Sequence, residues 1–286
     1  MIPPFLSPAH VAQLPNAVLA DLGSTTGDVP PYEAFRAAHL PGAVFVDLDR
    51  VLSAPPGAGT GRHPLPDPEV FAEGMCRAGI ADTDAVIAYD RVGGVFAARL
   101  VWMLRVLGLD AAVLDGGPGA WPGEPESGDV SPPPSTFTAR PFPPERLADF
   151  DEVVRLSRTR TRGEKPDAVL LDARDADRYA GVPHPLDTRS GHIPGARSLP
   201  CREHVDADGW LLHRAQLRAR LEAVGVNAPD TPVVSSCGSG VTACHTLLVM
   251  EHVGVGAGRL YPGSWSQWSA SDQPIAVGGP TRRPDG

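Results

Sequence analysis

The sequence predicts an α/β fold made twice over, each half a parallel sheet flanked by helices, and three observations carry that prediction. A pentapeptide recurs, HLPGA at 39–43 and HIPGA at 192–196, identical at four of five positions. A β-rich run that ends in a glycine-containing loop also recurs. AVIAYD at 85–90 leads into Gly93, Gly94 and an apolar helical pattern, and PVVSSC at 232–237 leads into Gly240 and another such pattern. Finally, short β-rich runs alternate with helical patterns along both halves, as in βαβ units with parallel strands. Gene duplication explains the recurrence better than chance.

Taken in order, the runs at 17–21, 44–47, 85–89 and 111–114 read as strands of the first half, and those at 168–172 and 232–236 as strands of the second. Helical patterns cover 68–77 and 215–224. After the first recurring loop Val95, Ala98 and Trp102 fall at i, i+3 and i+7, and Val241, Cys244 and Leu248 repeat the spacing, which puts each trio on one helix face. A short strand and a glycine turn with tryptophan follow each helix, in VLDGGPGAW at 113–121 and RLYPGSWSQW at 259–268. Between the copies lies SPPPSTFTARPFPP at 131–144, where six prolines deny backbone donors and hold the chain extended. The expected division is therefore a first domain at 1–130, a linker at 131–147 and a second domain at 148–286.

At 286 residues, 42% hydrophobic and 21% charged, the chain has the composition of a globular protein with material for two cores. Its net charge of −9 repels phosphate backbones and anionic headgroups alike, so neither nucleic acid nor a membrane surface is an expected partner. The longest uncharged stretch, 231–250, contains proline, glycines, serines and His245 and is too polar to span a bilayer. No Lys or Arg precedes Arg36, so the charged start of a secretory signal is missing and a cytoplasmic address is expected. The four cysteines, Cys76, Cys201, Cys237 and Cys244, then read as thiols, and without a CxxC pair a zinc ribbon is not expected.

One loop carries chemistry. In CGSGVT at 237–242, a strand runs through a glycine-rich turn into a helix, so that successive backbone N–H groups and the helix start converge on one point and stabilise an anion. The residue at that point is Cys237, and a thiolate is favoured there. Gly238 and Gly240 let the backbone curl around the sulfur. The physical reading is a nucleophilic cysteine whose sulfur, or an added second sulfur, sits among donors. The bland alternative is a buried cysteine at a strand end. That alternative leaves the two close glycines, and Asp90 at the same place in the first half, without explanation. Cys244, on the apolar helix face, reads as packing.

The duplicated HIPGA turn, the DARDADRY stretch at 172–179 and the CGSGVT loop resemble tandem-domain rhodanese-type sulfurtransferases, and the likeness covers about residues 5–277. The CGSGVTA form of the loop is similar to that of 3-mercaptopyruvate sulfurtransferases, whereas thiosulfate-using relatives usually carry basic side chains after the cysteine. The resemblance implies two tandem rhodanese-like domains, a catalytically silent first one with Asp90 in place of the cysteine, an active second one, and a site in the cleft between them. It further implies that Cys237 takes sulfur from a small-molecule donor as a persulfide and passes it to an acceptor thiol, such as a thioredoxin-like dithiol or a low-molecular-weight thiol, or to cyanide. No metal and no organic cofactor are implied.

Residue by residue, Arg178 is similar in position to the arginine that grips the donor's carboxylate, and a bidentate guanidinium suits that group. Its structural alternative is an ion pair with Asp175 or Asp177. The family's second arginine precedes the HIPG turn, where this chain offers His184 and Arg189. Ser239, His63 and Asp49 match a serine, histidine and aspartate proposed to protonate the leaving group. Gly238, Gly240, Val241 and Thr242 complete the binding loop, with the Thr242 hydroxyl free to cap the helix or to donate to the added sulfur. His39 and His192 recur in both halves and are expected to hold their turns. Trp268 is expected in the core and Trp265 as a wall of the cleft.

Three competing readings remain. Thiosulfate:cyanide transfer would use the same nucleophile and is disfavoured by the neutral Gly238 and Ser239. A cysteine phosphatase would need an arginine six residues after Cys237, where Ala243 stands. A non-catalytic binding scaffold would have no need to keep Cys237 in an intact loop.

Overall fold

The structure, a computed structural model, describes residues 1–23, 29–57 and 59–279. The first sheet has five parallel strands, β1 (Phe5–Leu6), β2 (Ala17–Asp21), β3 (Val44–Phe45), β4 (Ala85–Tyr89) and β5 (Ala111–Leu114), in the order β1-β5-β4-β2-β3. The second has four, β6 (Val169–Asp172), β7 (Arg197–Ser198), β8 (Pro232–Ser236) and β9 (Ala257–Leu260), in the order β7-β6-β8-β9. Read from the other edge, β5-β4-β2-β3 and β9-β8-β6-β7 are the same sheet, so the repeat seen in the sequence is a repeat of topology. β1 is an extra edge strand of the first copy.

Local sequence sets the element ends. The run at 44–47 stops as a strand at Phe45 because the Asp47 carboxylate accepts the Asp49 and Arg50 N–H groups and starts the short helix Leu48–Val51. β4 is a nearly continuous apolar run, as a strand covered on both faces must be. β8 carries two buried serines whose hydroxyls are satisfied by the backbone, Ser235 on the Ala243 carbonyl and Ser236 on the Leu171 carbonyl. The helix Ala97–Val106 packs on β4 and β5, and Ala243–Val253 packs on β8 and β9. Both predicted trios are fully buried, with Val95, Ala98 and Trp102 in the first half and Val241, Cys244 and Leu248 in the second.

The two HxPG histidines play the same part twice. His39 Nδ1 bonds the Phe35 carbonyl at 2.9 Å with its ring stacked on Phe35, and His192 Nδ1 bonds the Tyr179 carbonyl at 2.8 Å with its ring stacked on Tyr179. Burial lowers the pKa of His192. Each histidine ties its turn to the end of the preceding helical segment.

The chain forms two compact units, and their boundaries differ from a simple cut. The first comprises Met1–Ala54, Leu65–Pro143 and Val205–Leu211, the second Pro55–Pro64, Pro144–His204 and Leu212–Gly286. Most of the proline-rich stretch is thus part of the first unit rather than a free tether. Its Phe137 is buried edge-on against Phe71, and the Phe137 N–H donates to Cys76 Sγ at 3.2 Å. Segment 55–64 belongs to the second unit although it lies far upstream in the chain. Its glycines explain how it fits: a Cβ on Gly61, whose φ is +85°, would lie 2.6 Å from the Gly263 carbonyl oxygen.

Candidate active site

Cys237 follows β8 directly and is buried. Its Sγ accepts the Gly240 N–H at 3.1 Å. Gly240 has φ +78°, and a Cβ there would lie 2.5 Å from the Pro262 carbonyl oxygen, so only glycine closes the loop this tightly. Three bonds pin the loop to the helix Ser264–Ala270: the Cys237 N–H donates to Ser264 Oγ, and the Cys237 and Gly238 carbonyls accept the Trp265 and Ser266 N–H groups. Ser264 itself has φ +49° and is fully buried, an uncommon backbone for a non-glycine, held by its hydroxyl on the Tyr261 carbonyl. Among the described residues, the N–H groups of Gly238, Ser239, Val241 and Thr242 make no hydrogen bond. The loop is a rigid cradle with unused donors.

Around the cradle, Ser239 Oγ lies 2.7 Å from His63 Nδ1, both within the second unit. That contact spans 176 residues of sequence and joins two residues matched only through the family pattern. Arg178 is gripped by Asp187, from Nε at 3.0 Å and Nη2 at 2.5 Å, while Asp187 also lies 3.6 Å from Arg174. Arg174 in turn pairs with Asp172 and the Gly191 carbonyl and lies over the Trp265 ring. The partner of Arg178 is therefore Asp187, not Asp175 or Asp177. This pairing orients the guanidinium: a Cβ built on Gly238 would lie 3.2 Å from Arg178 Nη2 and equally 3.2 Å from Arg62 Nη2. The loop is neutral in sequence, but two guanidiniums stand against it in space.

The Rhodanese-like domain family matches the chain at 14–124 and again at 157–271. This chain belongs to the rhodanese-like family. A probable 3-mercaptopyruvate sulfurtransferase of Pseudomonas aeruginosa is 38% identical over 258 residues, covering 87% of this chain and 88% of the relative. A putative thiosulfate sulfurtransferase of Mycobacterium tuberculosis is 37% identical, covering 86% and 85%. The solved structure of a 3-mercaptopyruvate sulfurtransferase from Leishmania major superposes with a TM-score of 0.80 at 35% identity, covering 93% of this chain and 74% of that one.

Several residues expected at the site fall elsewhere. Arg189 does not face a donor: its guanidinium donates to the Ser269, Trp268, Ser271 and Gln273 carbonyls and closes the C-terminal end of the helix Ser264–Ala270. His184 makes a local turn contact, Nδ1 accepting the Leu186 N–H at 3.2 Å. Thr242 does not cap the following helix with its side chain, and its hydroxyl instead meets the buried Cys201 thiol, which burial pushes up to about 12. Trp265 and Trp268 are both core residues at 1% exposure, so Trp265 is not a wall. Val241, within the loop, is buried. Asp49 lies in the first unit on the short helix after Asp47, exposed, and its place in an acid–base set stays an expectation of the resemblance.

Sequence reading missed Arg62, Asp187 and Ser264. Each acts through contacts distant in sequence or through backbone geometry, and only Asp187, next to the predicted Arg178 segment, carried a usable signal. Among the described residues there is no group of three or more His, Cys, Asp or Glu that could hold a metal ion, and no helix is long and apolar enough to cross a membrane.

Proposed function

We propose that the chain is a 3-mercaptopyruvate sulfurtransferase whose second unit carries sulfur on Cys237. The observation that carries this reading is the cradle itself, a thiol with one N–H on its sulfur, four further N–H groups open beside it, and the Arg178 guanidinium at its lip. The relatives named as 3-mercaptopyruvate sulfurtransferases support the donor.

The Cys237 thiolate attacks the sulfur of 3-mercaptopyruvate. An S–S bond forms, the carbon–sulfur bond breaks, and its electron pair leaves as the enolate of pyruvate. The enolate takes one proton at carbon and becomes pyruvate, and the sulfur stays on Cys237 as a persulfide. Ser239 and His63, 2.7 Å apart, are the pair that moves the proton. The open N–H groups hold the terminal sulfur until an acceptor thiol or cyanide attacks it and restores Cys237. The first unit is silent because Asp90 replaces the nucleophile. A thiosulfate donor is the second reading, favoured by the two guanidiniums beside the otherwise neutral loop and by the name of the mycobacterial relative.

Initial rates of sulfur transfer with 3-mercaptopyruvate and thiosulfate, run side by side, test the proposal. Faster turnover with 3-mercaptopyruvate, lost in Cys237→Ser, is the expected result. Faster turnover with thiosulfate moves the assignment to that donor, and no turnover with either returns the chain to the scaffold reading.

A further inference from the structure

We propose that the second unit carries a binding site for a small phosphate-bearing molecule, in the cavity at the start of β6 and β8 that Arg160, Lys165 and Arg197 line. The site is separate from the sulfur-transfer loop and independent of the sulfurtransferase reading. The cavity reaches Pro232, the first residue of β8, whereas Cys237 follows the last, and the 5 residues of the strand at about 3.3 Å each set the two roughly 16 Å apart.

Charge without a partner is the first argument. In a chain whose net charge is −9, the segment 155–165 holds Arg155, Arg158, Arg160, Arg162 and Lys165 against the single acidic residue Glu164. Arg160 and Lys165 from this segment meet Arg197 from β7 around a volume of about 400 Å³, the size of a small-molecule pocket. Asp167 and Asp230 line the same cavity. Yet among the described residues no carboxylate lies within ion-pair distance of any of the three cations. Arg197 places one nitrogen, Nη1, on the Val224 carbonyl at 2.6 Å. That bond fixes the fork and leaves Nε and Nη2 to donate elsewhere.

The duplicated fold supplies the second argument, because the first half has the same turns without the cations. Gly42 and Gly195 are the same residue of the two HxPGA turns, at φ +71° and +87°. A Cβ built on Gly42 would meet nothing within 4 Å, whereas one on Gly195 would lie 2.7 Å from Arg160 Cγ. Gly79 and Gly225 likewise end matching helices, their N–H groups bonded to the Cys76 and Glu222 carbonyls and their φ values at +72° and +77°. Pro132 of the proline-rich stretch covers Gly79, but across Gly225 lies the Arg197 fork. Arg197 itself stands where the first half has the buried Val44. The dipole of the helix Phe150–Thr161 accounts for basic residues in its last turn. It does not account for an arginine stem laid across Gly195, nor for a second arginine brought in from β7. Two glycines yield their side-chain space to two arginines in the half where the cavity is open.

The donors define the ligand. Two guanidinium forks and one compact ammonium, arriving from a helix, a strand and a turn, suit a multiply charged tetrahedral oxyanion such as phosphate. The buried Leu156 and Leu170 also line the cavity, which leaves an apolar side for the rest of the molecule.

Calorimetric titration of the whole protein with inorganic pyrophosphate tests the site. Saturable binding is expected, weakened about tenfold or more by Arg160→Gln and by Arg197→Gln, with partial recovery in Arg197→Lys. Arg158→Gln, on the same helix but outside the cavity, should shift the affinity by less than about twofold. Binding should be unchanged in Cys237→Ser protein and in excess pyruvate. Because Arg197 also holds the Val224 carbonyl, its variants are read beside their Tm, and Arg160→Gln, which has no side-chain hydrogen bond to lose among the described residues, decides the matter if they unfold. Absence of saturable binding overturns the proposal, as does undiminished affinity in Arg160→Gln. An equal loss in Arg158→Gln and Arg160→Gln overturns it too, since a diffuse positive field would then be enough. Competition by pyruvate would place the pyrophosphate at the sulfur-transfer loop instead, and citrate binding as tightly as pyrophosphate would overturn the choice of phosphate.

Discussion

The two halves of this chain build one strand–loop–helix device and fill it differently. After β4 the cradle holds Asp90, whose Oδ1 accepts the Val92 and Gly94 N–H groups at 2.8 Å and whose Oδ2 accepts those of Phe96 and Ala97 at 2.7 and 3.0 Å. After β8 the cradle holds Cys237, whose sulfur accepts one N–H while four neighbours stay open. A carboxylate brings two oxygens on a short stem and takes four of the loop's donors, so the first loop is an anion site occupied by its own chain. A thiol brings a single soft atom and leaves donors for another. The fold supplies a place for negative charge in both halves, and the residue at the strand end decides whether that place is closed or free to take a second atom.

The comparison can be broken most severely by Cys237→Asp, which copies the first loop into the second. Turnover should vanish while the fold survives, read by sulfur-transfer rate beside circular dichroism; residual activity would show that the nucleophile lies elsewhere. The converse change, Asp90→Asn, withdraws a charge from four N–H groups. It should destabilise the first unit by roughly 3 kcal/mol, since hydrogen bonds to a charged group are worth about 1.5–3 kcal/mol each and part of the network survives. Urea unfolding measures it, and a loss below about 0.5 kcal/mol would mean the carboxylate is not what holds that loop.

A smaller effect is expected from Ser239→Ala and His63→Gln, which remove the hydroxyl–imidazole pair that has no counterpart named in the first half. Each should lower kcat by roughly tenfold to a hundredfold, the ordinary worth of positioned acid–base groups, and the double variant should be no worse than the poorer single one. Additive losses would separate the two residues. The mildest prediction concerns a feature of the second half alone, the buried pair His204 and His245, with Nδ1 atoms 3.4 Å apart. Burial lowers both, His245 to about 4. A histidine held neutral in the fold but protonated when unfolded stabilises the protein above its unfolded pKa and loses that contribution as pH falls toward the folded value. Stability should therefore drop between pH 6.5 and 4, by about 2 kcal/mol at pH 5 from His245. His245→Phe should flatten that slope in a pH series of Tm, and an unchanged slope would acquit the pair.

What was legible in the sequence was local. The repeat, the strand ends at Asp90 and Cys237, the glycines of the loop and the helix trios depend on residues a few positions apart, and periodicity and turn chemistry report such spacing directly. Arg62 was invisible because its meaning comes from Gly238 and Leu186, more than a hundred residues away, and because a basic residue in a Gly/Pro turn looks solvated. Arg189 was misread for the opposite reason: it stands where the family pattern led the eye, yet four carbonyls at the end of the helix Ser264–Ala270 claim its guanidinium. The proline-rich stretch read as a tether because proline count reports backbone stiffness and says nothing of Phe137 finding Phe71.

The contrast between a filled and an open cradle is tested most directly by mapping where sulfur lands after brief treatment with 3-mercaptopyruvate without acceptor. The account predicts one added sulfur atom, about 32 Da, on the peptide carrying Cys237, with Cys76, Cys201 and Cys244 unchanged and the adduct removed by cyanide. No adduct, or an adduct on another cysteine, would contradict it.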